Sequence, residues 1–278
     1  MNYIFSNNIN GYDPNFLSRN YIEQFCESLR RINFDGKLIL FTESIDRLKP
    51  IVHGLNVNLI QIDTIVEDPS IFPILDNFDV LNVKRLYYYK QYINSTNINL
   101  DDNILFIDSR DVIFQTNPFD KTLSPNLTFS EEPLPFFNSW SSPQFEIYNQ
   151  FDSDIFLRLK QNVGYTINSN FIGSIKNFIK LIDDITKEIK YIQSRIKECK
   201  TIISDQILIN KLIYINQINY ATVLPNENHL IVNNLINGQY TYDGKNVYMC
   251  NKPVSIIHQY DRNPIMLEFF LKRYKSLL

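Results

Sequence analysis

The stretch Asn103-Ile-Leu-Phe-Ile-Asp108-Ser-Arg110-Asp111-Val-Ile-Phe114 decides the fold. Its apolar run Ile104 to Ile107 is too short for a helix and reads as a buried strand that ends on a carboxylate. Working outward, Asn2 to Ser6 reads as a first strand and Asn15 to Ile32 as an amphipathic helix with Leu17, Tyr21, Phe25 and Leu29 on its apolar face. Asp35-Gly36 marks a turn before a buried strand at Lys37 to Phe41, and Asn56 to Ile62 is a further strand. Val80 to Ile93 reads as a helix whose face takes Tyr87, Tyr88 and Tyr92 into the core. This βαβ alternation predicts an α/β fold with a mostly parallel sheet covered by helices.

In such sheets ligands bind beyond the carboxyl ends of the strands, so Asp108 to Asp111 stand where chemistry is expected. Two aspartates around one arginine can hold a divalent cation against a diphosphate. Hard carboxylate oxygens suit Mg²⁺ or Mn²⁺, which leave positions open for substrate phosphates. The same residues also suit a plain turn in which the aspartates cap the backbone and pair with Arg110. From these residues alone both readings stand.

The second half is less regular. A strand at Leu127 to Ser130 leads into a segment that Pro133, Pro135 and Pro143 mark as loop-rich. Helices are expected at Phe151 to Gln161, Ile175 to Lys200, Asp205 to Asn216 and Pro264 to Leu278, with Ser204 as an N-cap. With 278 residues, the chain reads as one domain over 1–278, a nucleotide-binding half at 1–120 and an acceptor-facing half at 121–278.

Composition removes several classes. A net charge of −3 and a longest basic cluster of Lys84-Arg85 argue against a nucleic-acid partner. The cysteines, Cys26, Cys199 and Cys250, form no CxxC pair, so neither a zinc knuckle nor a disulfide framework is indicated. Neither a signal peptide nor a membrane span is recognisable, which leads to the expectation of a cytoplasmic or soluble peripheral protein. Seven glycines, none arranged as G-x-G-x-x-G, exclude a dinucleotide fingerprint. A phosphatase of the haloacid dehalogenase type needs an aspartate where Arg110 stands.

Further blocks lie along the chain: Arg85-Leu-Tyr-Tyr-Tyr-Lys-Gln-Tyr92, Asp108-Ser-Arg-Asp-Val-Ile-Phe-Gln-Thr-Asn-Pro-Phe119, Phe129-Ser-Glu131-Glu132, Asn168-Ser-Asn170-Phe-Ile-Gly173, Asp205-Gln206 and His258-Gln-Tyr-Asp-Arg262. In that order and spacing, from about Arg85 to Pro264, they resemble a GT-A glycosyltransferase family with a D-x-R-D-V-x-F-Q-x-D/N-P-F signature and a terminal H-Q-Y-D-R. The sequence departs from the usual D-x-D, since Asp111 follows Asp108 by three positions.

The resemblance implies a GT-A fold and a metal-dependent transfer from a nucleotide-diphosphate sugar, with UDP-sugars favoured, to a glycan, protein or lipid acceptor. It implies Mn²⁺ or Mg²⁺ at Asp108, Asp111 and His258. It implies donor contacts from Arg85, Asp108, Ser109, Arg110, Asn168, Asn170, Gly173 and Gln206. Asp205, Glu131 and Glu132 are the candidate catalytic bases, although Asp205 equally suits a helix dipole. His53 and His229 read as ordinary residues. The rival from another class is a non-catalytic sugar or nucleotide-sugar binder on a degenerate GT-A scaffold.

Overall fold

The computed structural model describes residues 1–8, 21–64, 81–120, 124–135, 142–162, 165–195, 204–233, 235 and 240–274. In chain order the strands and helices are β1 (Asn2–Asn8), α1 (Tyr21–Arg31), β2 (Lys37–Thr42), α2 (Ile45–Leu48), β3 (Val57–Gln61), α3 (Leu81–Asn94), β4 (Asn103–Phe106), β5 (Val112–Phe114), β6 (Leu127–Pro135), α4 (Ser142–Asn149), α5 (Ser153–Asn162), β7 (Tyr165–Ser174), α6 (Ile175–Arg195), α7 (Asp205–Tyr214), β8 (Ala221–Leu224), β9 (Ile231–Asn233), β10 (Tyr240–Tyr242), β11 (Val247–Met249), β12 (Lys252–Pro253), β13 (Ile256–His258) and α8 (Pro264–Arg273).

Among the described residues seven strands form the central sheet in the order β3-β2-β1-β4-β7-β6-β8. Pairing is parallel from β3 to β4 and again between β6 and β8, while β7 runs against both of its neighbours. The inner strands read as continuous apolar runs because both faces are covered. Alternate residues feed two cores. Phe5, Ile104 and Phe106 pack beneath α3, α6 and α7. Ile4, Leu105 and Ile107 pack against α1, α2 and β5. Tyr87 and Tyr88 are buried in the first core and Tyr92 packs against it, as the helical spacing predicts, and Tyr89, not singled out in the sequence, is buried there too. Two smaller sheets, β5-β13-β9 and β10-β11-β12, complete the far side.

Several boundaries differ from the sequence reading. The first strand runs on to Asn8, which carries Asn7 to the sheet edge. The expected loop-rich segment is corrected: β6 continues through Pro135, and Ser142–Asn149 is helical. Beyond Ser130 the outer neighbour β8 no longer pairs with β6, so Pro133 and Pro135 forfeit no bond to it, and the register with β7 slips there. The expected strand at Pro253 to Ile257 is divided between β12 and β13. Residues 15–20, with Leu17, together with Val80, 196–200 and 275–278, lie outside the described residues, so those ends of four expected helices stay expectations.

Candidate active site

The carboxyl edges of β1 and β4, the start of α7 and the short sheet β5-β13-β9 meet around a cleft of about 210 Å³. Asp108 lies just past β4, where the chain leaves the sheet. Asp111 follows in the left-handed region at φ 51°, a conformation that aspartate and asparagine tolerate better than most residues. β13 then pairs antiparallel with β5, setting His258 opposite Val112. The pairing extends through Gln259, whose backbone N–H donates to the Asp111 carbonyl at 2.8 Å. A residue distant in sequence is thereby laid beside the acidic tip of β4.

His258 Nε2 stands 3.5 Å from Asp108 Oδ2 and 3.6 Å from Asp111 Oδ1. The other oxygen of Asp108 accepts from Arg85. Burial alone would raise the Asp108 carboxyl, but Arg85 and His258 outweigh it and hold the group well below the ordinary carboxylate range. Asp111 goes the other way. Burial, aided by Asp261 and Asp108 and opposed by His258 and Arg110, pushes it up to about 7. Burial would lower His258, yet the two facing carboxylates leave it raised. A carboxyl raised by burial and by neighbouring carboxylates is one whose charge a cation would favour.

Among the described residues no group of three His, Cys, Asp or Glu is placed so that it could hold a metal ion as it stands. Three ligands each about 2.0–2.2 Å from one ion can nevertheless lie about 3–3.6 Å apart. The two measured separations match that span, and oxygen with imidazole donors suits Mn²⁺ or Mg²⁺. The donor chemistry suits such an ion, while a complete three-ligand site is not formed among the described residues.

The candidate bases separate. Asp205 is 2% exposed and is held by Arg85 Nη2 at 2.8 Å, while its Oδ1 accepts the Gln206 backbone N–H. Ser204 caps the same helix through the Ile207 N–H, as expected. Arg85 is buried, stacked with its guanidinium carbon 4.6 Å from the Phe106 ring centre, and tied to both Asp108 and Asp205. Expected as a donor contact, it lines the cleft and has its two terminal nitrogens engaged by protein carboxylates.

Glu132 lines the cleft and accepts from Asn168 Nδ2 at 3.2 Å. Glu131 is not among the cleft-lining residues, and its side chain is only partly buried.

Asn168, Ser109, Arg110 and Gln206 all line the cleft. Ser109 Oγ donates to the Asn7 carbonyl, and Arg110 pairs with Asp261 at 3.4 Å. Gln206 Nε2 donates to the Ile167 carbonyl, while its Oε1 is buried with no partner among the described residues. Asn170 lies behind the cleft, 3.2 Å from His258 Nδ1.

Gly173 is corrected. It pairs with Ile104, at the opposite end of β4 from Asp108, and a β-carbon there would stand 2.6 Å from the Asn126 carbonyl oxygen. Its bareness serves close packing, not a ligand.

Sequence reasoning missed Asn7, Gln259 and Arg262, which line the cleft, and Asn233, which accepts at 2.9 Å from His258 Nδ1. Asn7 was discoverable as a residue at the carboxyl end of a parallel strand. Asn233 carries no local signal. His53 and His229 do not line the cleft.

No family model matches the chain, and no curated protein matches it by sequence. Solved structures do. A crystal structure of galactosyltransferase LgtC in complex with donor and acceptor sugar analogues aligns with a TM-score of 0.53 at 13% identity, covering 100% of this chain and 98% of that one. A structure of an active-site mutant of LgtC aligns at 0.50 and 11% identity over 100% and 98% of the two chains. The chain has the GT-A fold: an α/β architecture with a mostly parallel central sheet flanked by helices.

Proposed function

We propose that this protein is a metal-dependent glycosyltransferase that moves a sugar from a nucleotide-diphosphate donor, with UDP-sugars favoured, to an acceptor hydroxyl on a glycan, protein or lipid. The observation that carries the reading is the convergence of Asp108, Asp111 and His258 at one cleft beyond the carboxyl edge of the sheet. The likeness to LgtC, described with donor and acceptor sugar analogues, supports the same reading.

Mn²⁺ or Mg²⁺ held by these three side chains would neutralise charge on the departing diphosphate. The chain's own groups do the rest. Arg85 keeps Asp108 ionised and aimed at the cleft. Arg110 and Arg262, on the cleft wall, supply positive charge for phosphate oxygens. Asn168 and Gln206 offer amides to sugar hydroxyls at the cleft floor. Glu132 takes the acceptor proton: it and Asp205 both line the cleft, but Asp205 is held in an ion pair by Arg85, and Glu131 does not line it.

The test is a panel of nucleotide sugars with and without Mn²⁺, read by thermal shift and by release of nucleoside diphosphate. A cognate donor should raise the melting temperature only with the cation present. Asp111→Asn should keep its melting temperature, since asparagine accepts the left-handed backbone, and should lose metal-dependent turnover. Full turnover in that variant sinks the metal assignment. Binding without diphosphate release points to the non-catalytic scaffold.

A further inference from the structure

His258 has two ring nitrogens with opposite surroundings. Nε2 faces the carboxylates of Asp108 and Asp111. Nδ1 faces three amides, from Asn233 at 2.9 Å, Asn170 at 3.2 Å and Asn168 at 3.4 Å. A neutral imidazole carries its proton on one nitrogen only, and only the bare one can bind a metal.

The direction of the network can be worked out from one group that has no choice. The backbone carbonyl of Glu131 can only accept, and Asn233 Nδ2 donates to it at 3.0 Å. The Asn233 amide is therefore oriented with its oxygen toward His258. An oxygen at 2.9 Å needs a donor opposite it, so Nδ1 bears the proton. Asn168 is fixed too, because its oxygen takes the Asn170 backbone N–H and its nitrogen serves Glu132. Asn170 is not: its Oδ1 is buried without a partner among the described residues, and turning that amide over would add a second acceptor at Nδ1–H. Asn233 itself is fully buried, and its backbone N–H is held by Asn226 Oδ1 at 2.9 Å, so it has little freedom to give way.

We propose that Asn233 is a positioning residue that fixes His258 in the Nδ1–H tautomer and so keeps the Nε2 lone pair turned toward Asp108 and Asp111. The inference rests on the metal-dependent reading of the cleft for its purpose, though not for its geometry. Parallel pairing of β13 with β9 puts His258 beside Asn233 in register, so the device is built into the small sheet.

Two measurements test it. The first is ¹⁵N NMR of the His258 ring in the metal-free wild-type protein, at a pH high enough to leave the ring neutral. The expected result is a protonated Nδ1 and a bare Nε2, and a protonated Nε2 overturns the proposal. The second compares Mn²⁺ affinity, by calorimetry, of wild type and Asn233→Leu. The variant should bind about 10- to 100-fold more weakly, with unchanged far-UV circular dichroism. A folded variant that binds Mn²⁺ as tightly as wild type overturns the proposal. Should Asn233→Leu fail to fold, the wild-type tautomer still decides. A wild type that binds no Mn²⁺ defeats the metal reading of the cleft, while the ring tautomer continues to report on Asn233 alone.

Discussion

Arg85 Nη2 donates to Asp205 Oδ2 at 2.8 Å, while Nη1 of the same guanidinium holds Asp108, so one buried cation ties the tip of β4 to the first turn of α7. That arrangement engages Asp205, which lines the cleft, in an ion pair, whereas the proposed reading uses Glu132 as the base.

Arg85→Met should therefore destabilise the fold by about 3 kcal/mol, because the buried Asp205 and the partly exposed Asp108 lose their common partner. Arg85→Lys should recover only part of this, since an ammonium lacks the planar fork that reaches both carboxylates. Urea denaturation of the two variants against wild type checks the order. Equal stability of all three would show that the bridge contributes nothing.

The two neighbouring glutamates should part company in kinetics. Glu132→Gln should lower kcat about 100- to 10,000-fold, the usual range for losing a general base. Glu131→Gln should leave kcat within a few-fold of wild type. Steady-state assays with the donor found by the nucleotide-sugar panel distinguish them, and the reverse order would reassign the base.

Gly173→Ala should cost about 1–3 kcal/mol, because the new methyl has to displace backbone at Asn126 and Leu127. Its KM for the donor should stay unchanged, since the position lies at the far end of β7 from the cleft. A raised KM with normal stability would restore the donor-sugar role that the resemblance implies.

Asp184 offers a pH test away from the cleft. Burial would raise its carboxyl, but hydrogen bonds from Lys187 Nζ and Tyr220 OH, each at 2.7 Å, outweigh this and leave it lowered. A depressed folded-state value stabilises above the unfolded value and loses that contribution as pH falls through the folded one. Asp184→Asn should thus be less stable than wild type at neutral pH by about 1 kcal/mol, a figure kept small because the Lys187 end is exposed. The gap should close below about pH 4. Thermal melts across that range read it directly, and a constant gap would refute the assignment.

Much of this protein was legible in one dimension. Apolar runs such as Lys37 to Phe41 and Ile104 to Ile107 announce buried strands, and the tyrosines of α3 announce a packed face, because covalent periodicity alone sets which side chains can share a surface. The same logic located Asp108 at a strand's carboxyl end, and Ser204 before an N-terminal carboxylate marked the start of α7. Near Pro133 the reading stopped short, since whether a proline can sit in a strand depends on which edge its neighbour leaves unpaired.

What tertiary structure alone decided is which of the polar residues face the cleft and which of those are already held by a partner across the fold. Nothing local distinguishes Asp205 from Glu132, or Asn233 from the chain's other asparagines. Their roles follow from β13 lying between β5 and β9, and from Arg85 reaching across from α3. Local pattern determines the elements; partnership between residues distant in sequence is settled only when the sheets close, because hydrogen bonds and ion pairs act over a few ångströms of space regardless of separation along the chain.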